Sequence, residues 1–411
     1  MLKPQCNSHR FVISLNGVWE YAKSCPLPGK EFVPEGRLAV PASWNEQHNS
    51  LYHHKGRVWY QYRFSLPELP EGKRALLRFS GVLYRGEFYL NGQKLGEDNT
   101  GLMPVEYDVT ELLSASGNLL IAGIDGDRYD SQAIGHGDFY EYGGIHRPVT
   151  LEIVNAVRIT DLKAETSAAG SLKLRWQTTG GDKIRFTVNG QEFSFDAPAG
   201  AGEKTISGIT PWSPENPKLY TLSAQLFEQN KVCDTFDLKT GFRTFEVSGR
   251  DLLLNGRKCR FDGFCRHEDF YIIGKGVNDA LNVRDFELMK WCGANSFRTS
   301  HYPYCEEILE LAERVVAYAR TDFPDMPIYL CGVHRNATRT EEREALILRY
   351  DERMRALAEE IPNGFFIDPK TYEPLNRTDI FVKDGVHYNQ EGYQLYGEFF
   401  KAALKKELDR F

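Results

Sequence analysis

Two polar runs in this sequence stand where side chains can do chemistry: Arg266-His267-Glu268-Asp269 and Ser300-His301-Tyr302-Pro303. Each follows a short run that reads as a strand, residues 260–264 in the first case and 294–299 in the second. An imidazole titrates near neutral pH and can donate or accept a hydrogen bond, so a histidine at a strand end can bind a polar ligand. A His-Tyr-Pro turn directly after a buried strand turns the His301 ring into a mouth. The 266–269 run reads first as a polar loop holding a rim and second as a ligand contact. The eight cysteines, at 6, 25, 233, 259, 265, 292, 305 and 331, contain no C-x-x-C pair. Several lie in apolar runs, where a thiol behaves as a small hydrophobe, so neither a disulfide frame nor a zinc site is expected. No spacing implies a metal or an organic cofactor.

These residues need elements to position them. Residues 1–155 alternate polar and apolar positions in short runs broken by Gly, Pro, Asn and Asp, the spacing of an all-β sandwich. Val58-Trp59-Tyr60-Gln61-Tyr62 and Gly86-Glu87-Phe88-Tyr89-Leu90 are examples, the latter leading into an Asn91-Gly92 hairpin turn. Residues 156–248 repeat the pattern, with Leu172-Lys173-Leu174-Arg175-Trp176 and a second hairpin turn at Asn189-Gly190, in the length of one immunoglobulin-like sandwich.

After residue 250 the period changes. Strand then helix, twice, at 260–264, 283–291, 294–299 and 306–318, predicts βα units with parallel pairing. A buried strand at 328–333 follows. Next comes a helix opening at a Thr338/Glu341 capping box and carrying the stripe Ile347, Tyr350, Met354, Leu357 and Ile361. A short strand at 365–367 and a final amphipathic helix marked by Tyr393, Tyr396, Phe400 and Leu404 complete the pattern.

Length and composition bound the function. A chain of 411 residues with 41% hydrophobic and 13% aromatic residues holds several domains and can bury a large core. Net charge is −7 with no block of Lys and Arg, which argues against nucleic acid and anionic lipid as partners. No apolar run approaches the ~18 residues of a membrane span, and the first residues lack the apolar core of a signal peptide. The expectation is a cytoplasmic protein.

Several segments resemble the family 2 glycoside hydrolases, the β-glucuronidases more than the β-galactosidases. They include Leu15-Asn16-Gly17-Val18-Trp19, Val40-Pro41-Ala42-Ser43-Trp44-Asn45-Glu46, Asp138-Phe139-Tyr140-Glu141-Tyr142-Gly143-Gly144-Ile145-His146-Arg147, Gly263-Phe264-Cys265-Arg266-His267-Glu268-Asp269, and Ala294-Asn295-Ser296-Phe297-Arg298-Thr299-Ser300-His301-Tyr302-Pro303-Tyr304. The match is collinear to about residue 313. It implies a jelly-roll domain, an immunoglobulin-like domain and the start of a (β/α)8 barrel. It also implies that Asp138, on a loop over the barrel mouth, and His301 hydrogen-bond a sugar, and that Arg298 lies beneath the nucleophile.

A retaining glycosidase needs two carboxyls about 5–5.5 Å apart. In this family both are glutamates on later barrel strands, the acid within Asn-Glu-Pro. That tripeptide does not occur here; the single Asn-Glu, Asn45-Glu46, belongs to the jelly roll. From about residue 314, and above all at Asp384-Gly385-Val386-His387-Tyr388-Asn389-Gln390-Glu391-Gly392-Tyr393, the chain resembles instead the C-terminal half of an SGNH-type esterase. That resemblance implies that Asp384 orients His387 and that His387 acts as general base, but the Gly-Asp-Ser nucleophile segment is absent.

The sequence therefore reads as multidomain: a jelly-roll sandwich (1–155), an immunoglobulin-like sandwich (156–248), the first two βα units of a barrel (249–313) and a partial flavodoxin-like α/β segment (314–411). The expected function is that of a family 2 glycoside hydrolase acting in carbohydrate metabolism, with a β-glycoside ligand and no unaided catalysis because the glutamate pair is missing. A non-catalytic carbohydrate-binding module, or an ester hydrolase borrowing a serine from elsewhere, are the alternatives. Oligomeric state is not legible.

Overall fold

The structure is a computed structural model that describes residues 2–66, 69–127, 142–214, 216–249, 251–300, 302–315, 328–331, 348, 351–352, 355–356, 364–383 and 388–408. The chain divides into two compact units, Met1–Ala319 and Arg320–Phe411.

Alternation builds the first sandwich. Along Arg57–Phe64, Val58 and Tyr60 are wholly buried in the main core, while Trp59 faces the other way, against Phe32, Tyr89 and Ile121. This strand is central in a six-stranded antiparallel sheet ordered Gly36–Val40, Gly17–Ala22, Arg57–Phe64, Asn118–Asp125, Arg85–Leu90, Gln93–Asp98. A four-stranded sheet of Phe11–Ser14, Val149–Asn155, Lys73–Phe79 and Val105–Asp108 closes the core, which Trp19, Tyr60, Phe79, Phe88 and Leu151 fill. The rings of Phe79 and Phe88, one from each sheet, meet with centroids 4.2 Å apart.

The second sandwich pairs Ile159–Thr166, Ser171–Thr178 and Ala199–Thr205 in one sheet and Gln191–Asp196, Lys183–Val188, Tyr220–Glu228 and Lys231–Thr240 in the other. Trp176, Phe186, Leu222 and Phe242 form its core. Both expected Asn-Gly turns are hairpins with left-handed backbone at each central residue: φ is 51° and 87° at Asn91 and Gly92, and 49° and 71° at Asn189 and Gly190. That double positive φ is the type I′ geometry, which matches strand twist and which Asn and Gly tolerate best.

Arg10 braces the two sandwiches. Its guanidinium, 3% exposed, donates from Nε and Nη2 to the two carboxylate oxygens of buried Asp234 at 3.0 and 2.6 Å, and from Nη2 to the Ile159 carbonyl at 2.6 Å. Asp234 also accepts from the Ile159 amide at 2.7 Å.

Beyond the second sandwich, Phe245–Ser248, Asp251–Leu254 and Arg257–Cys259 form a small antiparallel sheet, so the strand expected at 260–264 begins later, at Gly263–Cys265. Gly263–Cys265 pairs parallel with Ser296–Arg298, Cys265 opposite Arg298. The helix Asp279–Trp291 joins them, its first turn capped by the Asn278 side chain, which accepts from the Leu281 amide at 3.2 Å. A second helix, Glu306–Val315, follows. These are two βα units, and they rest on the first sandwich: Leu83, Tyr84, Leu102 and Tyr142 share one core with Phe286, Tyr302, Tyr304, Cys305 and Ile308.

In the second unit Ile328–Cys331 pairs parallel with Gly364–Ile367. A core of Ile367, Leu375, Ile380, Phe381, Tyr388 and Phe399 lies beside the helix Gln390–Leu408. Asn389 caps that helix, its side chain accepting from the Gly392 amide at 3.0 Å. The Thr338/Glu341 capping box and the stripe residues Ile347, Tyr350, Met354, Leu357 and Ile361 lie outside the described residues. Among the described residues no helix is long and apolar enough to cross a membrane.

Candidate functional site

The parallel strands end where barrel enzymes gather their chemistry, at the C-terminal edge. Arg298 is there, exposed, its guanidinium 4.0 Å from the Cys265 sulfur on the neighbouring strand. Asp138, His301, Asp384 and His387 lie outside the described residues. What the structure does place is the rim frame to which Tyr142 and Tyr302 bond.

The 266–269 run after the first barrel strand is that frame, and its four side chains divide the work. Arg266 is 6% exposed and turns inward, donating to Asp285 at 3.0 Å and to Asn282 at 2.7 Å while packing over the rings of Phe270, Phe286 and Tyr304. Glu268, 1% exposed, lies 3.4 Å from the Arg147 guanidinium, and its amide donates to the Tyr302 hydroxyl at 2.7 Å. Burial pushes the Glu268 carboxyl above the ordinary carboxylate range, and the nearby cations Arg147, Lys275 and Arg266 oppose that rise. His267 faces the Tyr302 ring, with Nδ1 3.5 Å from its hydroxyl. Asp269 is exposed and accepts from the Tyr142 hydroxyl at 2.7 Å.

Tyr142 makes the frame bipartite. It is the first described residue after the 128–141 segment and, 4% exposed, reaches from the sandwich to the barrel rim. Its hydroxyl also lies 3.4 Å from Glu46. Burial, then Asp269, then Glu46 push the phenol's pKa far up, so it stays a neutral donor between two carboxylates. Gly143 permits the close turn that follows: a Cβ at that position would lie 2.1 Å from the Trp44 ring.

Arg147 completes the junction by donating to the Pro303 carbonyl at 2.5 Å and to the Leu102 carbonyl. His146 beside it is fully buried, and burial followed by the charges of Arg147 and Lys275 holds its pKa well below the ordinary imidazole value. Ser300 and Tyr302, the described residues on either side of position 301 in the sequence, are both buried. Among the described residues no cluster of three or more His, Cys, Asp or Glu could hold a metal ion.

Residue patterns pointed to the 266–269 loop as a rim support, and the bonds of Arg266 and Glu268 are those of a support. The roles of Tyr142 and Arg147 were not read from sequence. Both sit in the quoted 138–147 segment, but partners 127 and 121 residues away leave no local trace.

Comparison with known proteins agrees with this architecture. Residues 12–154 match the sugar-binding domain of glycosyl hydrolases family 2, residues 151–243 the family 2 central domain, and residues 245–320 its TIM-barrel domain. A β-glucuronidase from Paenibacillus borealis is 31% identical over 355 residues, covering 76% of this chain and 59% of its own. The Bifidobacterium dentium β-glucuronidase, solved with coumarin-3-O-glucuronide, superposes with a TM-score of 0.71 at 32% identity, over 77% of this chain and 61% of that one. The Faecalibacterium prausnitzii β-glucuronidase gives a TM-score of 0.69 at 29% identity, over 98% of this chain and 73% of its own. The chain spans about 60% of the length of the curated relatives it matches. With a sugar-binding sandwich, a central sandwich and the opening of a barrel in that order, the chain over residues 12–320 belongs to glycosyl hydrolase family 2 and is β-glucuronidase-like.

Proposed function

We propose that this polypeptide binds a β-glucuronide on the face shared by its first sandwich and its two βα units, and does not cleave the ligand unaided. The supporting observation is the doubly anchored rim: Tyr142 to Asp269 and Arg147 to Glu268 and Pro303 fix the 266–269 loop against the sandwich. Pre-organisation of this kind lowers the ordering cost of binding a polar ligand. In this reading Asp138 and His301 hydrogen-bond the sugar and Arg298 supplies positive charge at the strand edge.

Binding and chemistry separate because cleavage needs an acid and a nucleophile on opposite sides of the anomeric centre. The sequence offers no Asn-Glu-Pro. Calorimetry with D-glucuronic acid, beside a chromogenic β-glucuronide assay, tests the proposal. Saturable binding that His301→Ala weakens at least about tenfold, with no turnover, is expected. Turnover abolished by changing a single carboxylate would refute the non-catalytic half, and absence of binding would refute the other.

The esterase-like reading of Asp384 and His387 rests on their sequence segment alone. Aryl acetate turnover lost in His387→Ala, with glycosides untouched, would establish it. Cytoplasmic residence is likewise a proposal, resting on composition.

A further inference from the structure

Residues 2–10 lie outside every strand, yet their polar side chains are engaged one after another along the molecule. Arg10 braces the sandwiches through Asp234. Three residues before it, Asn7 donates from Nδ2 to the Thr235 carbonyl at 3.0 Å. The Gln5 side-chain amide donates to the Asp237 carbonyl and accepts from the Asp237 amide, the second bond being 3.0 Å. Thr235 and Asp237 belong to Lys231–Thr240, which is the edge strand of its sheet. The contacts of 10 with 234, 7 with 235 and 5 with 237 run antiparallel to that strand. Side-chain amides thus bond to backbone groups that a sheet edge leaves without a neighbouring strand.

The same segment reaches the barrel units. The Lys3 ammonium lies 2.8 Å from Glu310 and 3.7 Å from Glu307, both on the helix Glu306–Val315. Arg78 of the first sandwich, 2% exposed, donates to the Leu2 carbonyl at 2.7 Å and to Glu306 at 3.3 Å. Leu2 packs against the core of the second sandwich. One short segment therefore touches both sandwiches and the second barrel helix.

Two features make it a mechanical link rather than a set of separate contacts. Glu307 and Glu310 are like charges three residues apart on one helix, an arrangement that destabilises the helix, and a cation placed between them relieves the repulsion. Lys3 is that cation. Between Lys3 and Gln5 stands Pro4, whose ring fixes its own φ and restricts the preceding Lys3 to extended backbone. Movement at Gln5 is accordingly passed on to Lys3.

We propose that residues 2–7 are a strap whose grip on the edge strand keeps the helix Glu306–Val315 seated, and whose release opens that helix while both sandwiches stay folded. The inference stands on these contacts and is independent of the β-glucuronide reading. Because the Lys3 pairs are partly exposed, salt screens them, and the strap loosens as ionic strength rises.

Amide hydrogen exchange on the full chain tests this, read at residues 306–315 and at the sandwich strands 57–64 and 171–178. Gln5→Ala is the decisive variant, since its side chain bonds to the second sandwich and the readout is on the barrel helix. It should speed exchange at 306–315 by about threefold. Lys3→Glu, which sets a third carboxylate beside Glu307 and Glu310, should speed it by about tenfold. Neither variant should change the sandwich strands. Sodium chloride at about 0.5 M should speed exchange of the helix in the wild type and narrow its gap to Lys3→Glu. A faster helix in Lys3→Glu with no change in Gln5→Ala would reduce Lys3 to an isolated surface ion pair and overturn the strap. Faster exchange of the sandwich strands by the same factor would replace local opening with global destabilisation and overturn it as well. An unchanged helix in both variants would do so outright, and a wild-type helix indifferent to salt would overturn the ionic-strength dependence.

Discussion

The strands Arg57–Phe64 and Gly263–Cys265 are both short runs rich in aromatic and aliphatic residues, yet the first is buried from Val58 to Gln61 and the second is exposed throughout. Hydropathy does not separate them. The first has a hydrogen-bonded neighbour on each side and a second sheet across its core. The second has one parallel partner and no other strand among the described residues, although parallel sheets are normally covered on both faces. Phe264 is accordingly 47% exposed. The sandwiches draw their stability from closed layers, whereas the barrel units draw it from the core they share with Leu83, Tyr84, Leu102 and Tyr142.

Three measurements would break or sharpen that contrast. Arg10→Ala should have the largest effect, a loss of about 3–5 kcal/mol in denaturant unfolding, because it leaves the Asp234 carboxylate buried without its charge partner. A loss under 1 kcal/mol would mean that the brace between the sandwiches is dispensable. Next, stability should fall as pH drops below about 6.5, by up to about 1.4 kcal/mol per pH unit from His146 alone. The sign follows from its depressed pKa: the folded imidazole stays neutral while the unfolded one takes up a proton, so the contribution is present above the unfolded value and lost below it. Glu268, whose pKa is raised, works in the opposite sense nearer the carboxylate range, so the difference between wild type and His146→Gln isolates the imidazole. A His146→Gln profile parallel to that of the wild type would overturn the assignment. The smallest effect belongs to Phe264→Ser, within about 0.5–1 kcal/mol and with improved solubility, since a half-exposed ring forfeits little burial. A loss of 3 kcal/mol there would show that the open strand is covered in solution.

Much of this organisation is legible in the chain itself. The Asn91-Gly92 and Asn189-Gly190 turns are local: two residues fix their own backbone, and the flanking alternation fixes the strands. Asn255-Gly256, with φ of 52° and 76°, follows the same rule, and it marks the hairpin that displaced the expected start of the first barrel strand. The candidate site was legible by residue type at Arg298 and in the 266–269 loop. It was not legible in Tyr142 or Arg147, because no local pattern announces a phenol that bonds across 127 residues.

By itself the sequence determined the order of layers, the change from period two to strand-helix units after residue 250, and the lack of an Asn-Glu-Pro segment, since each depends only on near neighbours or on composition. Tertiary structure alone decided which charges are buried, that Arg266 and Glu268 turn inward onto neighbouring elements, and that Tyr271 and Ile272 are exposed. Those outcomes depend on which distant surfaces exclude water from a side chain, and only the folded chain brings those surfaces together.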